Sequence, residues 1–184
     1  LPALADLVPL AHSDASARHT LLEVGRRAGA HARVAEVLGA AADAEPDTQM
    51  KAEILLDQAA VCERQLLDDV AAERVFRRIL SLADAGLTVI DPALHALERI
   101  YEARGQHREL AEILAIEVEH ETDPIAQRDL LGRLGALREG PLADRAGAIA
   151  AWRKRLEADE TDSDALEALD RLYAATGEHR ALVE

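Results

Sequence analysis

LHALERIYEARGQHRELAE, residues 94–112, returns at residues 166–184 as LEALDRLYAATGEHRALVE. The position numbers of the two copies differ by a constant 72, and eleven of their nineteen aligned positions are identical. Self-similarity at a fixed period is the sequence signature of a repeat architecture. The sequence therefore predicts a chain built from tandem copies of one structural unit.

An earlier and weaker copy precedes the first of these segments, at the slightly larger offset of 76. Gly29 and His31 match Gly105 and His107, and the same offset pairs Phe76 with Trp152. The offset falls from 76 to 72 because the stretch between residues 82 and 91 holds four extra residues. We expect those residues to lengthen a loop. The larger repeat then holds about 72 residues, enough for two helical hairpins.

The composition favours helices over strands. Ala, Leu, Glu and Arg are strong helix formers, and aromatic residues make up only 2% of the chain. The sole strand-like stretch is LTVI at residues 87–90, which is short and is followed at once by Asp91 and Pro92. The sequence therefore predicts an all-α protein.

Capping signals set the predicted helix boundaries. An acid followed by proline, or a serine in the same place, predicts helix starts at Asp91, Asp123 and Ser163. A glycine just past an apolar stripe predicts helix ends at Gly29, Gly105 and Gly177. Residues 1–11 are interpreted as the remnant of a further helix. The predicted helices cover about 15–28, 31–43, 47–63, 69–83, 92–104, 107–120, 124–138, 143–158, 163–176 and 178 onward.

Charge and cysteine content exclude several classes of function. The formal net charge of −14 disfavours nucleic acid and anionic membrane surfaces, because both are bound by excess Lys and Arg. No apolar run approaches the ~20 residues of a membrane-spanning helix. One cysteine permits no intrachain disulfide, and no zinc-ligand spacing, phosphate loop or catalytic motif is present. We therefore expect a cytoplasmic protein with no metal and no cofactor.

The spacing of apolar residues resembles the tetratricopeptide repeat (TPR), a 34-residue helix–turn–helix unit. In this family a small residue and an aromatic residue four apart mark the second helix, as Ala148 and Trp152 do here. The next unit then follows with Leu166, Leu169 and Tyr173 at the family's apolar, apolar and aromatic places. The match is degenerate, since the expected small or proline positions carry Glu98, Leu110, Glu160, Asp170 and Leu182. The pattern is also similar to the large repeat proteins of myxobacteria.

This resemblance implies a right-handed α-solenoid of about five stacked antiparallel helix hairpins. The hairpins would cover about 15–43, 47–83, 91–120, 123–158 and 163–184, and would form one TPR-like domain over residues 1–184. The chain begins at Leu1 rather than Met and stops within a helical pattern. We therefore expect it to be a fragment of a larger bacterial protein.

The resemblance further implies a concave surface that binds a peptide or a partner helix. The family's groove positions fall here on His19, Glu23, Arg26, His95, Arg99, Glu102, Glu167 and Arg171. A guanidinium can hold a carboxylate through two parallel hydrogen bonds, which draws attention to Arg99 and Arg171. The alternative for these arginines is an intrahelical pair, such as Glu167 with Arg171. Capture of a chaperone tail is disfavoured, since the chain has no Asn and only two Lys, neither at a groove position.

Three further functions compete with a non-catalytic interaction scaffold. The first is a structural spacer or self-assembly element whose partners are copies of itself. An enzyme is disfavoured because His31, His107 and His179 recur at one repeat position, as scaffold residues do, and because Cys62 has no activating neighbour in sequence. Phe76 and Trp152 are predicted to be core residues. RNA binding ranks last because of the acidic charge.

Overall fold

The computed structural model describes residues 15–82 and 86–174, and within those ranges it is all-helical with no β-strand. Nine α-helices follow one another there, joined by short turns. They are α1 (Ala15–Ala28), α2 (His31–Ala44), α3 (Thr48–Arg64), α4 (Asp69–Leu80), α5 (Leu87–Arg104), α6 (His107–His120), α7 (Pro124–Glu139), α8 (Arg145–Ala158) and α9 (Ser163–Ala174).

The chain divides into two compact units, Leu1–Ile100 and Tyr101–Glu184, and the division falls inside α5. In the first unit α1 packs on α2, α2 on α3 and α3 on α4. In the second, α6 packs on α7, α7 on α8 and α8 on α9. This packing of consecutive helices is consistent with a helical repeat. The cores are aliphatic and rich in alanine, with Phe76 buried in the first unit and Trp152 in the second, as predicted.

The turns repeat between the two units at the offset found in the sequence. Gly29 and Gly105 both have φ +63°, which confirms the predicted turn glycines. After Gly105, the Gln106 N–H donates to the Tyr101 carbonyl at 2.9 Å, closing the last turn of α5. A second pair, Leu67 (φ 53°) and Ala143 (φ 49°), is matched by the same offset and has the same left-handed conformation.

Four of the aspartate residues that cap helices form two pairs at the repeat offset of 76. Asp47 and Asp123 cap α3 and α7 by accepting from the Met50 and Ile125 N–H groups. Asp68 and Asp144 cap α4 and α8 in the same way. Asp123 and Pro124 therefore act as the sequence predicted, with Pro124 as the first helical residue.

The predicted start of α5 at Asp91 is wrong, because the helix begins at Leu87 and encloses Pro92. The strand-like residues 87–90 form its first turn. The Val89 and Ile90 N–H groups donate to the Gly86 carbonyl, and the Gly86 N–H donates to Gln49 Oε1 at 2.9 Å. Burial of Val89 stabilises this turn, while Pro92 can donate no hydrogen bond.

The predicted cap at Ser163 is also displaced, since Ser163 is the first residue of α9. The carboxylate of Asp162 accepts from the Ala165 N–H at 3.0 Å, so the acid one residue earlier caps the helix. Several predictions lie outside the described residues: the helix remnant at 1–11, the turn glycine Gly177, His179, Leu182 and the helix from residue 178.

The helix α7 leaves room for Trp152 because it carries glycines where the tryptophan packs. A Cβ atom built at Gly135 would lie 2.6 Å from Cε2 of the indole, far inside contact distance. A Cβ at Gly132 would lie 2.2 Å from Nη1 of Arg155. The equivalent residues in the first unit are Leu56 and Ala59.

Candidate functional site

Three of the predicted groove residues lie together in the first unit. His19, Glu23 and Arg26 line one side of a groove of about 190 Å³, and Asp57 and Arg64 of α3 lie opposite. The lining of the groove is partly apolar, with Leu22 of α1 and Ala60 of α3 partly exposed and Val61 of α3 buried. Charged groups beside partly exposed apolar side chains are the features expected of a surface that holds a peptide side chain.

The charges on α1 are organised around Glu23. Its carboxylate accepts from Arg26 at 3.3 Å and from Arg27 at 2.8 Å. The hydrogen bond from Arg26 and the charge of Arg27 hold the pKa of the Glu23 carboxyl below its usual value. Two exposed guanidinium groups thus share one carboxylate, and of the two Arg26 lines the groove.

The side chain of Arg18 joins α1 to α3 beneath the groove. It is buried, and its guanidinium donates to Asp57 at 3.3 Å and to Glu53 at 3.2 Å. Desolvation raises the pKa of the Asp57 carboxyl, although Arg18 acts in the opposite direction. Arg18 was not predicted from the sequence. The signal was available, because the repeat aligns it with Leu94, a core position.

Arg99 pairs with Glu63 of α3, and Arg171 pairs with Glu139 of α7. The expected intrahelical partner of Arg171 is therefore not its hydrogen-bond partner. Glu63 and Glu139 are themselves matched by the repeat offset of 76, so the two units contain the same ion pair at equivalent positions. In each unit it joins the first helix of one predicted hairpin to the first helix of the next.

The pair in the second unit is bidentate. Arg171 Nε and Nη2 donate to the two oxygens of Glu139 at 2.7 and 2.8 Å. The hydrogen bond from Arg171 lowers the pKa of the Glu139 carboxyl, and the bond to Glu139 raises the pKa of Arg171. The exposed Glu167 contributes charge to Arg171 without being its hydrogen-bond partner.

The two remaining groove residues have different surroundings. Glu102 accepts from Arg133 of α7 at 2.8 Å, so it too joins neighbouring first helices of hairpins. His95 is exposed on α5. Within the units, the structure thus brings His19, Glu23 and Arg26 together, and it pairs Arg99, Glu102 and Arg171 with residues of an adjacent helix.

A buried ionic cluster in the second unit was also not predicted. Arg155 donates to the two oxygens of Asp162 at 2.8 and 3.2 Å and to Asp164 at 3.1 Å. The bond from Arg155 lowers the pKa of the Asp162 carboxyl, and the same guanidinium lies 5.5 Å from the centre of the Trp152 ring. Neither Arg155 nor Asp162 belongs to a recognisable motif, so only the three-dimensional packing reveals the cluster.

The described ranges contain no group of three His, Cys, Asp or Glu side chains placed to hold a metal ion. Cys62 is buried, and desolvation raises the pKa of its thiol, which disfavours the reactive thiolate. Across residues 15–82 and 86–174 no helix is both long and apolar enough to span a bilayer.

No protein-family model matches this chain, and a search of curated proteins gives no match.

Proposed function

We propose that this chain is a TPR-like interaction scaffold that binds a peptide or a partner helix along the first helices of its hairpins. These are α1, α3, α5, α7 and α9. The proposal includes a right-handed solenoid of about five hairpins, of which α9 would begin the fifth. It assigns no catalytic step to the protein.

The observation that carries the proposal is the groove between α1 and α3. Three side chains chosen from the groove positions of the TPR, His19, Glu23 and Arg26, line this one concave surface together with the partly exposed Leu22 and Ala60. Their spacing of four and three residues places the three side chains on one face of α1, and α3 supplies the opposite side of the groove. A partner side chain that entered the groove would contact apolar carbon and charged groups at once.

The ion pairs at Arg99 and Arg171 support the same surface. Each arginine remains well exposed, at 65% and 60% of its side chain, while a glutamate from the adjacent helix fixes its position. A guanidinium has five N–H donors, and a bidentate pair uses two of them. The remaining donors can bind carbonyl or carboxylate oxygens of a partner without the entropy cost of ordering a free side chain.

The ion pairs dictate how the arginines must be tested. Reversing Arg171 alone would place two carboxylates together and would destabilise the second unit. The double variant Glu139→Arg/Arg171→Glu instead keeps the ion pair and inverts its direction. Glu63→Arg/Arg99→Glu makes the same exchange in the first unit.

The experiment is affinity purification of the full chain from lysate, identification of the partner, and titration of that partner by calorimetry. We expect each exchanged variant to unfold at the wild-type urea midpoint and to bind the partner at least tenfold more weakly, as the loss of a charged hydrogen bond predicts. Arg33→Glu/Glu36→Arg exchanges an exposed pair on α2 and serves as the control. Wild-type affinity in both exchanged variants would contradict the proposal.

Self-association is a second candidate function, favoured by one apolar corner. Leu67 and Val70, at the start of α4, are 81% and 58% exposed. If this corner joins copies of the chain, light scattering will show a mass that rises with concentration, and Leu67→Asp will abolish the rise. A constant monomer mass would exclude it.

A further inference from the structure

The buried side chain of Arg18 holds an acid that lines the groove between α1 and α3. Arg18 Nε donates to Oδ2 of Asp57 at 3.3 Å, and Arg18 Nη2 donates to Glu53 at 3.2 Å. Asp57 lines the groove, whereas Arg18 does not. The position of this acid is therefore set by a side chain that lies outside the groove lining.

Arg26 of α1 and Asp57 of α3 line opposite sides of the groove. In the described part of the chain they make no ion pair with each other, and Arg26 donates to Glu23 at 3.3 Å instead. Glu23 also accepts from Arg27 at 2.8 Å. Arg26 can therefore leave Glu23 without leaving that carboxylate unpaired.

The same two positions are ion-paired, with their charges exchanged, in the copy of the repeat that begins with α5. At the offset of 76, Arg26 corresponds to Glu102 of α5 and Asp57 corresponds to Arg133 of α7. There Arg133 Nη2 donates to Glu102 Oε1 at 2.8 Å. The packing of equivalent helices therefore allows an arginine and an acid at these two positions to meet.

A buried position on the first of the two helices differs between the copies. Arg18 of α1 corresponds to Leu94 of α5, and both are buried, but the leucine side chain has no hydrogen-bond donor. The pair between neighbouring first helices forms in the copy with leucine. In the copy with arginine, the guanidinium of Arg18 binds Asp57 and that pair is not made. The comparison indicates that Arg18 competes with Arg26 for the carboxylate of Asp57.

We propose that Arg18 keeps the groove between α1 and α3 open by holding the carboxylate of Asp57 away from Arg26. Without Arg18, Arg26 pairs with Asp57 as Arg133 pairs with Glu102, and the new ion pair lies across the groove and excludes a partner side chain. Arg18 is a positioning residue, because it acts on the groove through Asp57. The effect on partner binding rests on the proposed function, whereas the exchange of ion pairs does not.

The test is the pKa of the Asp57 carboxyl, measured in the full chain from the pH dependence of its carbon-13 resonance. Arg18→Leu introduces the residue that α5 carries at this position, where Leu94 is buried. In the Arg18→Leu background we expect Arg26→Gln to raise the pKa of Asp57, because an ion pair with Arg26 stabilises the carboxylate. In the wild type Arg26→Gln should leave this pKa unchanged, since Arg18 is the partner of Asp57 there.

Arg27→Gln in the Arg18→Leu background is the matched control. Arg27 shares Glu23 with Arg26 but does not line the groove, so its replacement should leave the pKa of Asp57 unchanged. Urea unfolding of each variant verifies that it is folded. Arg18→Met repeats the test with an uncharged side chain closer in length to arginine.

Partner binding is the second measurement, made by calorimetry with the partner identified for the proposed function. Arg18→Leu should weaken this binding at least tenfold, although Arg18 does not line the groove. Arg27→Leu removes an arginine of the same helix outside the groove lining and should retain the wild-type affinity.

The possible failures are distinguishable. If Arg26→Gln changes the pKa of Asp57 equally in the wild type and in Arg18→Leu, the inference is overturned and the proposed function is unaffected. An equal rise with Arg27→Gln would show only the loss of a nearby positive charge and would also overturn the inference. If the expected pKa changes occur but Arg18→Leu binds the partner with wild-type affinity, the exchange of ion pairs is confirmed and the groove is not the partner site.

Discussion

Among its described residues each unit buries one arginine, and the contrast between the two shows which features the repeat fixes. In the first unit Arg18 meets two partly exposed carboxylates, Glu53 and Asp57, at 3.2 and 3.3 Å. In the second unit Arg155 makes a bidentate bond to Asp162, whose side chain is 4% exposed. The positions are not equivalent in the repeat. Turns, caps and the Glu–Arg pairs recur, whereas each unit has its own buried ionic cluster.

The buried aromatic residues also combine a feature that both units share with one that differs between them. Phe76 and Trp152 are equivalent and both buried, but the larger indole lies against Gly135 where the first unit has Ala59. Close packing makes such changes interdependent, because a core at crystal-like density has no space for an extra methyl group. The larger aromatic side chain is therefore paired with the smaller residue on the neighbouring helix, and the identities of both residues differ between the two units.

The largest expected effect comes from breaking the buried cluster of the second unit. Asp162→Ala removes two bonds to Arg155 and the cap of α9, so it should lower the free energy of unfolding by about 3 kcal/mol. Asp57→Ala removes one carboxylate from the buried arginine of the first unit. It should lower the free energy of unfolding by about 1 kcal/mol, because Arg18 retains Glu53. Urea unfolding followed by circular dichroism measures both. Equal losses would refute the contrast.

The aromatic exchange gives the next largest effect. Gly135→Ala should destabilise the protein by about 2 kcal/mol, since the added Cβ would overlap the indole. Trp152→Phe in the same chain should restore most of this loss, because it recreates the Ala59–Phe76 pair of the first unit. The check is a double-mutant cycle by thermal unfolding. Additive losses would show that the two residues do not compete for space.

The contributions of the two ionic clusters to the free energy of unfolding should also change with pH in opposite directions. The folded-state pKa of Asp162 is lowered, so its stabilisation is present above its unfolded pKa of about 3.9 and is lost as the pH falls through the lower value. The folded-state pKa of Asp57 is raised, so its contribution becomes less favourable as the pH rises from about 3.9 through that raised value.

This difference is measured by comparing the wild type with Asp162→Asn and with Asp57→Asn between about pH 3 and 7. The stability advantage of the wild type over Asp162→Asn should grow with pH, and its advantage over Asp57→Asn should shrink. If both stability advantages changed with pH in the same direction, the opposite pKa shifts assigned to Asp162 and Asp57 would be wrong.

The smallest effect concerns the left-handed turn residues. Leu67 has φ 53° and is 81% exposed, so glycine there relieves backbone strain and loses little burial. Leu67→Gly should raise the free energy of unfolding by about 0.5 kcal/mol, and Ala143→Gly should do the same. A shift of the urea midpoint reports it. Destabilisation at both sites would show that the turns are not strained.

Much of the fold was predictable because it follows from local signals. The helix-forming residues and the apolar residues spaced three and four apart indicate the helices, and the glycines at positions 29 and 105 indicate turns. Each of these signals depends on residues only a few positions apart in sequence. The start of α5 was not predictable in this way, because burial of Val89 and the bond from Gly86 to Gln49 outweigh the local preference of Pro92.

The candidate site was predictable only in part. Its positions came from the resemblance to the TPR, but the partners of Arg99 and Arg171 lie more than thirty residues away in sequence. Such pairs depend on how neighbouring helices pack, and local spacing favours the intrahelical alternative. Arg155 escaped notice for the same reason, since its partners Asp162 and Asp164 lie beyond the end of its own helix.

The most direct test of the central claim is site-specific photo-crosslinking with p-benzoylphenylalanine in cells that express the full chain. Probes replace His19 and Glu167 on first helices of hairpins, and Glu36 and Glu119 on second helices, all four positions being exposed. The account predicts a partner crosslinked from His19 and Glu167 and none from Glu36 or Glu119. A partner crosslinked from Glu36 and Glu119 alone would contradict it.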